Sequence, residues 1–216
     1  MHRPEPMAQF FNRVAQGYDQ HVSEGQQTGG LDGKNILAQH LPAGARDVLD
    51  LGCGTGLELP AIFARCPQAR VLGIDLAEDM LAILHKRCAG FDVQTLCMSY
   101  FDYDYPPERF DAVISVMSLH HFTPEQKLWL YQQAHSALKP GGVLLNCDYI
   151  IDSPLREKWN FARLRRMKAA PGSVHFDTPL CLKHEFKLLR QAGFPRAELL
   201  WQTKTTRLLS AIKQEQ

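Results

Sequence analysis

A glycine at every second position follows the first strongly apolar run of the chain, and this loop constrains the fold more than any other feature. The run Val48–Leu51 leads directly into Gly52, Gly54 and Gly56. Glycine has no Cβ, so such a loop can adopt positive φ and let a ligand touch the backbone. The next helix is predicted to begin at about Leu57. Together, the strand, the loop and the helix predict a ligand site at the end of a sheet strand.

The spacing of these glycines distinguishes two kinds of adenosine-binding loop. A dinucleotide-binding loop reads G-x-G-x-x-G, and its third glycine would fall where this chain has Leu57. The pattern here is G-x-G-x-G, and the acidic Asp50 precedes it. This arrangement resembles the first motif of class I S-adenosylmethionine-dependent methyltransferases.

Three further segments resemble the same family and occur in the family's order. The run Arg70–Asp75 ends in a carboxylate that could accept two hydrogen bonds from a ribose diol, a feature that dinucleotide folds share. Residues 110–122 resemble the fourth strand and the loop after it, and residues 138–145 resemble the turn into the fifth strand. The resemblance covers about residues 10–150 and, more weakly, the C-terminal end.

Alternating strand and helix patterns predict a parallel sheet covered on both faces. The resemblance implies an α/β fold with a Rossmann-like doubly wound sheet of seven strands, mostly parallel, with an antiparallel C-terminal strand. Strands are predicted at 47–51, 70–74, 92–97, 110–116, 143–148, 197–202 and 205–212. Predicted helices include 77–88, 124–137 and 183–191, the last of them stopped by Gly193.

The length of 216 residues is consistent with one domain. We expect a single methyltransferase domain over residues 1–216, with an N-terminal helical cap at 1–34 and a substrate-covering insertion at 152–182. Residues 10–19, which end in Tyr-Asp, resemble the aromatic helix that caps the cofactor site in many small-molecule methyltransferases. The insertion could instead only cover the sheet or form a homodimer contact.

The charge of the chain favours a small-molecule partner. The net charge of +1 gives no overall attraction to nucleic acid or to an anionic membrane. One basic cluster lies between residues 156 and 168, but its side chains scatter around a helical wheel, while Leu155, Trp159 and Ala162 share one face. This pattern favours a solvated helix docked by its apolar face, and RNA or an acidic substrate is the less favoured alternative.

Other compositional signals point to an ordinary cytoplasmic protein. No apolar run approaches the ~20 residues that a membrane span requires. The first residues lack a hydrophobic signal core, so a cytoplasmic location is expected. The six cysteines have no C-x-x-C spacing, which predicts neither a zinc site nor a disulfide framework.

The resemblance assigns roles to particular residues of the cofactor site. S-adenosylmethionine carries an amino acid tail, an adenosine and a cationic sulfur but no phosphate. Asp50 would therefore bind its ammonium group, and Asp75 would accept hydrogen bonds from its ribose hydroxyls. The predicted cofactor-binding residues are Tyr18, Asp50, Gly52, Gly54, Gly56, Asp75, Leu76, Met80, Ser99, Tyr100 and Ser115.

The adenine contact departs from the family pattern. An acidic residue after the third strand commonly holds the adenine amino group in this family, but Ser99 occupies the aligned position here, followed by Tyr100. The backbone around these residues could bracket the ring instead, or Asp102 or Asp104 could take the role.

Two histidines are the candidate catalytic residues. His120 and His121 follow the fourth strand, at the sheet edge where ligands bind in such folds. Methyl transfer needs donor and acceptor held close together, and a base only if the acceptor is a poor nucleophile. Either histidine could be that base, or both could be ordinary loop residues. A metal site is not expected, because the sequence shows no third ligand beside the pair.

The predicted function is therefore methyl transfer to a small-molecule acceptor, whose identity the sequence does not reveal. Two alternatives stay open. The first is different chemistry on the same cofactor, which would need an anion-binding arginine such as Arg13, Arg156 or Arg163. The second is a non-catalytic adapter with this fold, which Ser99 favours and the glycine loop with Asp75 argues against.

Overall fold

Seven strands form one sheet in the computed structural model, which describes residues 5–24, 30–166 and 174–215. The strands are β1 Asp47–Leu51, β2 Arg70–Asp75, β3 Val93–Cys97, β4 Phe110–Val116, β5 Leu138–Tyr149, β6 Ala197–Gln202 and β7 Thr206–Ile212. Their order is β3-β2-β1-β4-β5-β7-β6. Strands β1 to β5 pair in parallel, and β7 pairs antiparallel with both β5 and β6. The predicted Rossmann-like sheet with an antiparallel C-terminal strand is confirmed.

Helices cover both faces of this sheet. They are α1 Met7–Glu24, α2 Gly30–Gln39, α3 Leu59–Arg65, α4 Glu78–Arg87, α5 Pro124–Ala137, α6 Pro154–Arg166 and α7 Leu182–Gln191. Helix α5 begins with a capping box, in which Thr123 and Gln126 each bind the other's backbone N–H through their side chains. No described helix has the length and apolar character needed to cross a membrane.

Alternation along β1 divides the apolar residues between two cores. Leu49 and Leu51 point into a core shared with α5 and α7, whereas Val48 points into a core shared with α2 and α3. Fully burying one such aliphatic side chain contributes about 1.5–3 kcal/mol. Because both faces are covered, the carboxyl ends of β1, β2, β4 and β5 meet at one accessible edge.

Helix α6 packs differently from the prediction that its apolar face is docked. Leu155 and Trp159 are 78% and 62% exposed, so the prediction was wrong in the described structure. The helix instead buries Leu164 and Glu157, whose carboxylate accepts the Cys181 N–H at 2.7 Å and contacts His184 Nδ1 at 2.6 Å. These contacts tie α6 to the start of α7, and they explain why a charged side chain faces inward.

Parts of the predicted cap and insertion lie outside the described residues. These are residues 1–4 and 25–29 of the cap and residues 167–173 of the insertion. The described remainder of the insertion comprises α6 and an extended segment that leads into α7. This segment contacts the residues before α1, since Val174 bridges to Pro6 and the His175 N–H donates to the Glu5 carbonyl at 3.0 Å. The division into one domain with cap and insertion stays a prediction.

Candidate functional site

The glycine loop after β1 has the backbone geometry that its sequence predicts. Gly52 has φ +83°, and a Cβ at this position would lie only 2.1 Å from the Ser118 Oγ. Gly56 has φ +69°, and its Cβ would meet Leu84 Cγ at 2.8 Å. Gly52 therefore lets the loop pass close to the end of β4, and Gly56 lets α4 pack against the loop.

Asp75 braces this loop from the end of β2. Its Oδ2 accepts the Gly54 N–H at 2.9 Å, and its Oδ1 accepts the Ala77 N–H at 2.9 Å. Burial raises the pKa of Asp75, while these backbone donors act in the opposite direction. The carboxylate also lines the cavity beside the loop.

A buried charged cluster lies beneath the loop. Asp50 is 1% exposed, and neither of its carboxylate oxygens has a hydrogen-bond partner among the described residues. Burial raises the pKa of Asp50 well above its usual range, and the nearby Glu58 raises it further. Glu58 itself pairs with Lys34 of α2 at 2.7 Å. A cationic group brought to Asp50 would favour its ionised form and supply the missing partner.

Two adjoining cavities open at this sheet edge. The inner cavity is lined by Met7, Phe11, Tyr18, Lys34, Gly52, Cys53, Gly54, Thr55, Asp75, Leu76, Met80, Tyr100, Val116, Met117, Ser118, His121 and Phe122. The outer cavity, of about 650 Å³, is lined by Phe10, Phe11, Arg13, Val14, Gly17, Tyr18, His21, Met117, His120, His121, His175 and Asp177. Both include Phe11, Tyr18, Met117 and His121, so the two spaces share a wall.

The inner cavity brings together seven of the predicted cofactor-binding residues, namely Tyr18, Gly52, Gly54, Asp75, Leu76, Met80 and Tyr100. The other four are not in its lining. Asp50 lies beneath the loop, and Gly56 packs on Leu84. Ser99 Oγ accepts the Phe101 N–H at 3.1 Å, and Ser115 Oγ donates to the Leu51 carbonyl at 2.8 Å.

Helix α1 covers the inner cavity and is fastened at its C-terminal half. Asp19 accepts a hydrogen bond from Thr55 Oγ1 at 2.6 Å and pairs with Arg87 of α4. Arg87 also donates to the Thr55 carbonyl. Sequence reasoning missed this contact because its three members come from three separate elements.

His120 is held by a carboxylate from the end of β5. Its Nδ1 lies 2.6 Å from Asp148 Oδ1, and both side chains are buried. Burial opposes the charged imidazole, but Asp148 outweighs burial and raises the pKa of His120. Asp148 was missed in the sequence, although its place at the carboxyl end of β5 was a usable signal.

His121 and Asp177 complete the polar part of the outer cavity. His121 Nδ1 lies 3.4 Å from Asp177 Oδ1, and His120 Nε2 lies 3.6 Å from the same oxygen. Burial lowers the pKa of His121 to about 4. The structure therefore places both predicted catalytic histidines in one cavity and adds an acidic residue that sequence reasoning missed.

Sequence comparison shows similarity to known methyltransferases. A family profile described as a methyltransferase domain matches residues 48–142. The chain is 33% identical to demethylmenaquinone methyltransferase of Tropheryma whipplei (strain Twist) over 141 residues, which are 65% of this chain and 57% of that protein. It is 30% identical to trans-aconitate 2-methyltransferase of Rhodopseudomonas palustris over 169 residues, covering 70% and 64% of the two chains.

A solved structure agrees with these sequence matches. The apo form of the S-adenosylmethionine-dependent methyltransferase SibL superposes with a TM-score of 0.66 and 25% identity, covering 87% of this chain and 56% of that one. The chain thus spans 57% and 64% of the two sequence relatives' own lengths.

Proposed function

We propose that this chain, which belongs to the class I S-adenosylmethionine-dependent methyltransferase family, transfers a methyl group to a small-molecule acceptor. The main support for this proposal is that the two cavities share a wall. A methyl donor in the inner cavity would therefore lie directly beside an acceptor in the outer cavity. An in-line displacement needs this adjacency more than it needs any particular catalytic group.

The residues around the inner cavity match the chemical groups of S-adenosylmethionine. With helix α1 in its present position the cavity has a free volume of only about 60 Å³, so binding of the cofactor requires α1 to move outward. Asp50 lies beneath the glycine loop and not in the cavity lining, but its buried carboxylate lacks a partner among the described residues, and the ammonium group of the cofactor is a partner of the right charge. Asp75 keeps lone pairs beyond those used by Gly54 and Ala77, and we assign them to the ribose hydroxyls. Tyr18, Leu76, Met80 and Tyr100 supply the surrounding wall.

Lys34 extends the predicted set of cofactor-binding residues. It lines the inner cavity and pairs with Glu58 at 2.7 Å, close to Asp50. Burial opposes its charge, but Glu58 outweighs burial and raises the pKa of Lys34. The side chain thus stays cationic, which suits the carboxylate of the cofactor's amino acid tail.

When bound, the cofactor supplies an electrophilic methyl carbon on a cationic sulfur. The chain's own residues then position the acceptor, exclude water and receive a proton. Helix α1 closes the inner cavity through Asp19 and Arg87. His120 and His121 face the outer cavity, where an acceptor would lose its proton. Asp148 fixes the ring of His120 so that its Nε2 faces that space.

The outer cavity supports a small-molecule acceptor. Its volume of about 650 Å³ lies within the range of small-molecule sites, and its wall mixes apolar side chains with polar and charged ones. Two of the relatives carry the names of small acceptors, demethylmenaquinone and trans-aconitate. Different chemistry on the same cofactor has less support, because Arg13 is paired with Glu5 and neither Arg156 nor Arg163 lines the two cavities. A homodimer stays a prediction.

Two measurements test this function. Isothermal titration should show saturable binding of S-adenosylmethionine and S-adenosylhomocysteine but not of NAD. A turnover screen over phenols, amines, thiols and short RNA, read by mass spectrometry of S-adenosylhomocysteine, should find a small-molecule acceptor. Tight binding of NAD without binding of the sulfonium compound, or methylation of RNA alone, would overturn the proposal.

A further inference from the structure

We propose that His120, His121 and Asp177 form a binding site for a divalent transition-metal ion in the outer cavity. The site rests on the proposed function, because its role there is to hold and activate the methyl acceptor. The three residues come from two separate segments, the 3₁₀ turn Leu119–His121 after β4 and the extended segment before α7. Each offers one ligand atom, and the three atoms lie within 4.8 Å of one another.

The distances fit ligands of one ion better than hydrogen bonds. Asp177 Oδ1 lies 3.4 Å from His121 Nδ1 and 3.6 Å from His120 Nε2. An N–H···O hydrogen bond usually spans about 2.7–3.2 Å, so both contacts are long for one. Ligand atoms about 2.1 Å from a shared ion lie about 3.4 Å apart at the tetrahedral angle. These two separations therefore match two edges of a coordination polyhedron, and the two nitrogens that form the third edge lie within 4.8 Å of each other.

The hydrogen bonds of His120 leave the correct nitrogen free for a metal. Its Nδ1 lies 2.6 Å from Asp148 Oδ1, which also accepts the Tyr149 N–H at 2.9 Å. An imidazole that donates from Nδ1 presents the lone pair of Nε2 to the cavity. A carboxylate behind a histidine is the usual outer partner of a metal-ligating imidazole, and it fixes both the tautomer and the ring orientation.

His121 Nδ1 lacks a well-formed hydrogen bond. Its side chain is 5% exposed, and the acceptor that faces this nitrogen, Asp177 Oδ1, lies 3.4 Å away. Leaving a buried polar atom unpaired costs about 1–3 kcal/mol. A metal ion between His121 and Asp177 would satisfy this nitrogen.

Asp177 is held in place by the backbone beside it. The next residue, Thr178, donates its N–H to the His120 carbonyl at 2.7 Å and its hydroxyl to the same carbonyl at 3.1 Å. These bonds fasten the extended segment to the 3₁₀ turn, so the carboxylate stays beside both imidazoles. The second cluster with metal-ligating atoms, Glu157 with Cys181 and His184, differs because its carboxylate oxygens are already used at 2.7 Å and 2.6 Å.

The ligand set defines the class of ion. Two imidazole nitrogens and one carboxylate favour Zn²⁺, Fe²⁺, Mn²⁺ or Co²⁺ over Mg²⁺ or Ca²⁺, which prefer oxygen ligands. Three protein ligands leave coordination positions open, and all three residues line the outer cavity. With the ion bound, His120 and His121 act as ligands and not as bases. A hydroxyl of the acceptor at an open position would then release its proton to solvent more readily, because a bound cation lowers its pKa. Its oxygen lone pair then forms the bond to the methyl carbon, and the electrons of the broken C–S bond remain on the sulfur of the donor.

Metal titration of the whole chain tests the site. Protein stripped with a chelator should bind one equivalent of Zn²⁺ by calorimetry, and one equivalent of Co²⁺ should give the visible bands of a nitrogen- and oxygen-ligated ion. Mg²⁺ should not compete. Asp177→Asn and His121→Gln should each weaken Zn²⁺ binding at least about tenfold. His184→Gln, a histidine in the second cluster, should leave the Zn²⁺ affinity unchanged and serves as the matched control.

The outcomes separate this site from the proposed function. Absence of saturable Zn²⁺ and Co²⁺ binding by the wild-type chain, or equal Zn²⁺ affinity in wild type, Asp177→Asn and His121→Gln, overturns the metal site. S-adenosylhomocysteine affinity should be the same in Asp177→Asn as in wild type, because Asp177 does not line the inner cavity. Cofactor binding without metal binding rejects the metal site alone, whereas metal binding without cofactor binding rejects the methyltransferase function.

Discussion

The carboxylate of Asp75 accepts a hydrogen bond from the backbone N–H of Gly54, with the two atoms 2.9 Å apart. Its other oxygen accepts the N–H of Ala77, at the N-terminal boundary of α4. One side chain thus joins the end of β2 to the glycine loop and to the next helix. An ionised carboxylate has about four acceptor sites, and we assign the remaining ones to the ribose hydroxyls of the cofactor.

Asp75→Ala should lower the affinity for S-adenosylhomocysteine by about 1.5–3 kcal/mol, the scale of hydrogen bonds to a charged group. The fold should survive, because the residue lies at the sheet edge and not in either apolar core. Calorimetric titration of the variant gives the affinity. Glu78→Ala, an exposed carboxylate three residues on, is the control and should bind normally. Unchanged affinity in well-folded Asp75→Ala would mean that the ribose lies elsewhere.

Asp50→Asn should weaken cofactor binding without lowering the stability of the cofactor-free chain. Burial raises the pKa of Asp50, so replacing its carboxyl group by a neutral amide should leave the unfolding free energy of the cofactor-free chain unchanged or higher. The same change removes the proposed partner of the cofactor ammonium, so S-adenosylhomocysteine affinity should fall about tenfold or more. Adenosine, which lacks the amino acid tail, should bind both proteins equally. An equal loss for both ligands would contradict the assignment.

Much of the fold and part of the site follow from local sequence patterns. The alternate glycines predict the positive φ angles of Gly52 and Gly56, and the carboxylate at the end of β2 predicts that Asp75 lies at the site. Both predictions depend only on residues that are adjacent in the chain. The antiparallel β7 is implied by family resemblance, and the sheet order confirms it. Such features need no knowledge of which distant residues meet.

The rest of the site depends on contacts between residues far apart in the sequence, which local sequence patterns do not predict. Asp148 reaches His120 across 28 positions, and Lys34 reaches Glu58 across 24. The sequence also predicted no third metal ligand, yet Asp177 lies beside both histidines once β4 and the segment before α7 meet. The exposed Trp159 shows the converse error, because a polar anchor, Glu157, decides how α6 packs.

Arg87→Met should loosen helix α1 over the inner cavity. The side chain pairs with Asp19 and with the Thr55 carbonyl, and its removal leaves the C-terminal half of α1 with fewer contacts. Because the pair is partly exposed, we expect only about 1 kcal/mol, or a several-fold faster release of S-adenosylhomocysteine. Hydrogen exchange should show faster exchange in α1. The neighbouring Lys86→Met, at an exposed position, should change neither measurement.

Asp111→Asn should destabilise the chain at neutral pH and much less in acid. Asp111 accepts the N–H groups of Arg46 and Asp47 and contacts Lys139 Nζ, at 2.7–2.9 Å. Burial acts to raise the pKa of Asp111, but these donors outweigh it and hold the pKa below its usual value of 3.8.

The sign of the pH dependence follows from that lowered pKa. The stabilisation is fully present above the unfolded-state pKa near 3.8 and is lost as the pH falls through the lower folded-state pKa. Urea unfolding at pH 7 should therefore show a deficit of about 1–2 kcal/mol in Asp111→Asn, and the deficit should shrink below pH 3.8. Asp92→Asn, an exposed carboxylate before β3, should show no comparable change. A deficit that is the same at both pH values would assign the loss to shape and not to charge.

Asp148→Asn should slow methyl transfer without weakening cofactor binding. The amide can present its N–H₂ group to His120 Nδ1, which would move the ring proton to Nε2 and block the face that meets the acceptor. Loss of such an outer partner typically costs about 10–100-fold in activity or metal affinity, so kcat and Zn²⁺ affinity should both fall on this scale. S-adenosylhomocysteine affinity should not change, since Asp148 does not line the inner cavity. The exposed Asp92→Asn controls for the loss of a charge, and normal kcat in folded Asp148→Asn would remove His120 from the reaction.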